Sequence, residues 1–239
     1  AILAQGMAAG RSMFRGLRRA LASHGHLPPR ASLRTAIAGG ASDCTHAAGE
    51  DPAGLLAARH FEPSPGLGEP ATRLLIVWHS RTGMAEQMAA ALERGARQAA
   101  QELEQEQDLA VDVRRAAAAQ VEDLLQARGY VFCAPENLAS VSGEMKEFFD
   151  RCYYGALGRL NGRPYALAIS AGTDGEGAAK QVARICQGWR LKPCASPLVF
   201  RNGAQTPEAI AAAKACPAEA RAKCEELGGL LAAQLLLGI

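Results

Sequence analysis

From Arg73 onward the chain alternates between two kinds of segment, short apolar runs and longer amphipathic stretches. RLLIVWHS, YVFCAPE, RPYALAIS and SPLVFRN are apolar at most positions, and LAVDVRR alternates apolar with polar. These five read as strands, bounded by turn residues or proline. Between them, Met84, Met88, Leu92 and Gly95 recur at helical spacing, VEDLLQARG reads as a short helix, and EMKEFFDRCYYGAL puts Met145, Phe148, Phe149 and Cys152 on one side. GAAKQVARICQGW is a further helix, and a long helix kinked at Pro217 is expected from Pro207 to the end. Strands that are apolar on both faces and alternate with helices form a parallel sheet covered on both sides. Such a doubly wound sheet takes its ligands at the carboxyl ends of the strands, where the strand order reverses.

The first 70 residues do not share this pattern. They hold seven Arg, no Lys and five acids, with proline-rich stretches at PPR and EPSPGLGEP. The expected division is an Arg-rich leader over 1–70, disordered or partly helical, and one α/β domain over 71–239. An organellar targeting segment is the alternative for the leader, and a cytoplasmic location is the simpler expectation. Residues 71–239 balance nineteen basic against nineteen acidic side chains, so no basic footprint points to nucleic acid. No apolar run approaches the ~18 residues of a membrane span. Seven cysteines without C-x-x-C spacing argue against a zinc site or a disulfide framework.

The loops after strands one, three and four are the candidate site. Loop one, HSRTGMA, joins a strand to a helix through Ser80, Thr82 and Gly83. The first N–H groups of a helix have no partner within it, so a phosphate suits this position, and the two hydroxyls can add to it. The competing reading is an ordinary helix start capped by Thr82. Neither a P-loop nor a dinucleotide fingerprint follows strand one.

Loop two, APENLASVSGEMKEFFDR, brings a resemblance. S-R-T-G after strand one, with P-E-N…S-G-x-M-K-x-F-F-D-R after strand three, is similar to the flavodoxin-like NAD(P)H-dependent FMN reductases and quinone reductases. The likeness covers about residues 72–239 and implies a five-stranded parallel sheet of order 2-1-3-4-5 with helices on both faces. It implies that Ser80, Arg81, Thr82, Gly83, Met84 and Ala85 wrap the phosphate of FMN. It also implies that Pro135, Glu136, Asn137, Leu138 and Ala139 border the flavin ring. Loop three, SAGTDGEG, would then offer the N–H groups of Gly172, Thr173 and Asp174, with Gly175 beside them, to the flavin pyrimidine. Ala85 stands where the family has Thr or Ser, and loop two lacks the aromatic residue that many members hold against the ring. The Ala85 departure predicts one hydroxyl donor fewer for the phosphate, which Ala85→Thr would restore. Asp150 and Arg151 are expected to tie their helix to neighbouring structure, and Phe148 and Phe149 to lie in the core.

The resemblance implies an FMN-dependent oxidoreductase that takes electrons from NAD(P)H and passes them to a quinone, a flavin or another small acceptor. No catalytic side chain and no metal are required, because the cofactor carries the chemistry. A homodimer or homotetramer, without nucleic-acid or membrane partners, is the accompanying expectation. Two other readings stand beside it: a flavodoxin-type electron carrier, and a fold relative that binds no flavin.

Overall fold

The computed structural model describes residues 72–239; the leader over 1–70 and the boundary at its end lie outside the described residues. Strand β1 (Thr72–Trp78) is flanked by β2 (Leu109–Arg115) and β3 (Gly129–Asn137), and β5 (Pro164–Ala171) lies beyond β3, all parallel. The fifth strand of the sequence pattern comes in two pieces. β6 (Lys192–Pro193) pairs with the start of β5 and β7 (Leu198–Arg201) with its end. Pro193 and Pro197 cannot donate to a ladder, which sheets accept only at an edge. Taken as one edge strand, the two pieces complete the order 2-1-3-4-5 of a flavodoxin-like sheet. β4 (Ser140–Val141) is an addition the strand pattern did not announce, folding back antiparallel on the end of β3.

The helices are α1 (Met84–Glu102), α2 (Val121–Gln126), α3 (Gly143–Ala156), α4 (Glu176–Gly188), α5 (Pro207–Ala211) and α6 (Ala218–Leu237). Successive strand residues point to opposite faces, so β1 sends Leu75 and Val77 one way and Leu74 and Ile76 the other. The first pair joins a core built with α2, α3 and α4. Phe149 is its centre, with ring centroids 5.0 Å from Phe132, 5.4 Å from Phe148 and 5.5 Å from Trp189. The other face is covered by α1 and α6. These two helices meet backbone to backbone: a side chain at Gly95 would strike the Glu225 carbonyl, and one at Gly228 the Leu92 carbonyl.

The C-terminal helix is not continuous, contrary to the sequence expectation. α5 ends at Ala211, and residues 212–217 are non-helical before Pro217 caps α6. The break starts at Ala212, which is extended, five residues before Pro217, and Pro217, with no N–H to donate, stands at the cap of α6. The connector runs past loop one, where the Lys214 N–H donates to the Thr82 carbonyl at 2.7 Å.

Candidate functional site

Parallel pairing sets the carboxyl ends of β1, β3 and β5 side by side, with Trp78 opposite Cys133 and Pro135 opposite Ser170. The three loops of the sequence reading therefore emerge at one end of the sheet. Two helices begin there in nearly the same way. Gly83 precedes α1 with φ 87° and ψ −10°, and Gly175 precedes α4 with φ 84° and ψ −12°. Both are left-handed, a conformation that costs glycine little and other residues more.

What the two helix starts hold is different. At α4, the Glu136 carboxylate accepts from the Gly175 N–H at 2.7 Å and the Ala178 N–H at 2.9 Å. A side-chain anion thus occupies that N-terminus, where unpaired N–H groups and the helix dipole favour negative charge. At α1, the Ser80 hydroxyl accepts from the Gly83 N–H at 3.0 Å, and no described residue accepts from Met84, Ala85 or Glu86. Thr82 does not cap the helix; its neighbour Gly83 takes the cap position, with no side-chain cap bond. Arg81 is exposed and Thr82 half-buried. Met84 and Ala85 belong to the core, and the Ala85 carbonyl accepts from the Cys133 thiol. A hydroxyl added at Ala85 would therefore be enclosed. What Met84 and Ala85 have to offer an anion at this helix start is their N–H groups.

Burial pushes the Cys133 thiol well above its ordinary range, so it stays protonated. The six cysteines at 133, 152, 186, 194, 216 and 224 are free thiols. No group of His, Cys, Asp or Glu among the described residues is arranged to hold a metal ion.

His79, at the head of loop one, was not singled out from the sequence as a site residue. It is buried, with Nδ1 2.7 Å from the Ser142 hydroxyl and Nε2 3.6 Å from the Glu144 carboxylate. It thereby joins loop one to the start of α3. Burial lowers its pKa below 6.5; Glu144 pulls it up, while Arg81 and Arg115 push it further down.

Loop two is a tight hairpin. Glu136 pairs with Val141 and Asn137 with Ser140, leaving Leu138 and Ala139 as the two turn residues at φ 52° and 56°. A two-residue turn with both φ positive suits Asn-Gly, so Leu-Ala holds it under strain. Leu138 stands fully in solvent, 101% exposed. The hairpin is fastened to α4, whose Gln181 side-chain oxygen accepts from the Ser140 hydroxyl at 2.7 Å and the Val141 N–H at 2.8 Å. Gly177 lies so close to the Ala139 carbonyl that no side chain fits there.

Loop three follows β5. Its Gly175 N–H is taken by Glu136, and Gly172 is packed against the loop after β7 through the Gly203 N–H to its carbonyl at 2.7 Å. That fourth loop, residues 202–204, carried no sequence signal, and the connector over 212–217 was marked only by Pro217. Their parts are played by backbone groups.

Arg151 ties α3 to the β2–α2 turn through the Ala119 and Ala116 carbonyls at 2.6 and 3.0 Å, and Asp150 pairs with Lys146 along the same helix. Tyr154 is exposed and Tyr153 partly so, on α3.

A parallel sheet of this order, with loops gathered at the reversal of strand order, defines a flavodoxin-like protein. A family model described as NADPH-dependent FMN reductase matches residues 81–200, half of the chain, from loop one to β7. The chain belongs to that family, which places it among FMN-binding oxidoreductases. Among solved structures, a flavodoxin from the domain Archaea is similar at TM-score 0.54 and 16% identity, over 69% of this chain and 99% of that one. An oxidoreductase from Corynebacterium diphtheriae matches at 0.53 and 18%, over 70% and 98%. Rubredoxin oxygen:oxidoreductase from Desulfovibrio gigas matches at 0.55 and 14%, over 71% of this chain but 37% of its own. At these identities the structures establish the fold. No curated protein matches the sequence. No described helix is long and apolar enough to cross a membrane.

Proposed function

We propose that the chain is an NAD(P)H-dependent FMN oxidoreductase that passes electrons to a small acceptor such as a quinone or a flavin. The observation that carries this is the contrast between the two helix starts. α4 begins at a left-handed glycine and holds a carboxylate of the chain itself, whereas α1 begins at the same kind of glycine and has no internal anion among the described residues. A phosphate is the natural complement of the second, because it offers several acceptors to N–H groups that point the same way. The residues present thus fit FMN at its phosphate end.

In this reading the N–H groups of Met84, Ala85 and Glu86 hold the phosphate, with Thr82 and Arg81 at its side. The hairpin carrying Asn137, Leu138 and Ala139 borders the ring, and the Gly172, Thr173 and Asp174 N–H groups face its pyrimidine edge. Pro135 ends the pairing of β3 with β5, and Glu136 sets the spacing of loops two and three rather than touching the ring. When bound, FMN supplies the hydride and electron chemistry, so the protein's work is to hold, orient and shield it. Loops fixed to one another suit that work, because a site that is already ordered loses little freedom on binding.

The test is an absorbance spectrum of the purified protein, reconstituted with FMN, before and after NAD(P)H under anaerobic conditions. A flavin band near about 450 nm that NAD(P)H bleaches supports the reductase. A band that persists leaves the electron carrier, and a protein that takes up no FMN rejects both.

A further inference from the structure

Loop one would be useless to a phosphate if its N–H groups turned elsewhere, and the structure contains a device that sets their direction. Gln87, one turn into α1, donates from Nε2 to the Gly83 carbonyl at 2.9 Å and to the Lys214 carbonyl at 2.7 Å. Its side-chain oxygen accepts from the Cys216 N–H at 3.0 Å. The Lys214 N–H in turn donates to the Thr82 carbonyl at 2.7 Å. The Gln87 side chain and the Lys214 N–H therefore take the carbonyls of the loop's last two peptide groups, and Cys216 holds the other end of the Gln87 amide.

Peptide planarity turns this into a statement about donors. All described peptides are trans, so each C=O and the N–H of the same unit point in opposite directions. The unit joining Thr82 to Gly83 is held at both ends, its carbonyl by Lys214 and its N–H by the Ser80 hydroxyl. The unit joining Gly83 to Met84 is held only at its carbonyl, by the Gln87 side chain at 2.9 Å and more loosely by the Gln87 backbone N–H at 3.3 Å, which aims the Met84 N–H the opposite way and leaves it unpaired among the described residues. The side-chain amide has one suitable orientation, since it faces two carbonyls on one side and an N–H on the other.

We propose that Gln87 is a positioning residue for the phosphate: bound to the connector at residues 214–216, it fixes the peptide joining Gly83 to Met84 so that its free N–H faces the phosphate of FMN. This deepens the reading of loop one as the phosphate site and rests on it. The connector that carries the other half of the device lies more than 120 residues away in sequence.

The experiment compares dissociation constants for FMN and riboflavin, measured by flavin fluorescence on the full chain. Wild type, Gln87→Met and Gln87→Glu are used. Met keeps the length without the polar ends; Glu keeps the shape but sets an oxygen against two carbonyls. Both variants are expected to weaken FMN by about tenfold or more while leaving riboflavin within about twofold, comparable to one or two hydrogen bonds to a charged group. A merely structural role for Gln87 would weaken both ligands alike. An unchanged preference for FMN in both variants overturns the proposal while leaving the phosphate site standing. If wild type itself does not prefer FMN, the phosphate reading falls and the proposal with it.

Hydrogen exchange on flavin-free wild type supplies a check that needs no variant. The Lys214 and Cys216 amides are expected to be protected before any ligand is added, and those of Met84, Ala85 and Glu86 only after FMN. Free exchange at Lys214 and Cys216 in the flavin-free protein also overturns the proposal.

Discussion

The N-termini of α1 and α4 share a cap conformation to within a few degrees, yet one is closed by the chain and the other is left open. At α4 the donors are consumed by Glu136, which lies 39 and 42 residues earlier in sequence. At α1 the Gln87 side chain and the connector hold the Gly83 and Thr82 carbonyls, and the Met84, Ala85 and Glu86 donors have no acceptor among the described residues. The difference teaches that a helix start is not a binding site by its own geometry. In the proposed reading it becomes one when the neighbouring structure satisfies everything except the donors. Loop three, richer in glycine than loop one, has its helix start already occupied by an internal carboxylate.

The largest test of this contrast is Glu136→Ala. It leaves the Gly175 and Ala178 N–H groups without their acceptor and removes one of the ties between loop two and α4, that of Gln181 remaining, at an expected cost of about 1.5–3 kcal/mol in urea unfolding. The vacated helix start should then respond to anions, so sulfate is expected to stabilise this variant more than wild type. Equal responses to sulfate would break the comparison.

Next in size is the strained hairpin that lies over α4. Replacing Leu138 with Asn and Ala139 with Gly supplies the residues this turn favours and should raise stability by about 1 kcal/mol, seen as a higher melting temperature. A lower melting temperature would mean that the φ values of 52° and 56° are not a source of strain.

On the open side, Thr82→Ala sharpens the contrast further. The Thr82 hydroxyl has no partner among the described residues, so stability should change by less than about 0.5 kcal/mol. FMN affinity should fall several-fold with riboflavin unaffected, as read by fluorescence titration. Ala85→Thr, by contrast, encloses a hydroxyl in the core and is not expected to tighten FMN.

The smallest effect is that of pH on His79. Burial holds its folded pKa below 6.5, against the pull of Glu144, while the unfolded chain protonates near 6.5. Between the two values the unfolded state binds more protons, so stability rises with pH there. The contribution of neutral His79 is complete above 6.5 and is lost as pH falls through that value towards the folded pKa. His79→Gln should flatten this part of a stability–pH profile, and an unaltered slope would assign it to other groups.

Much of the architecture was written in local pattern. Apolar runs bounded by turn residues located the strands, and three- and four-residue spacing located α1, α3 and α4. These patterns survive because burial on two sheet faces demands them wherever the chain goes. The S-R-T-G and S-G-x-M-K-x-F-F-D-R segments led to the family for a related reason, since each is one continuous stretch.

What the sequence alone determined is the class of fold, the three loops, and the core positions of Phe148 and Phe149. Tertiary structure decided the rest: that the Lys214 N–H meets the Thr82 carbonyl, that Glu136 belongs to α4, that Gln87 reaches residues 214–216, and that His79 meets Ser142. Each of these is a hydrogen bond between groups far apart along the chain, often to a backbone atom that every residue possesses. A backbone donor or acceptor has no letter in the sequence, so its partner is settled only when folding brings the two together.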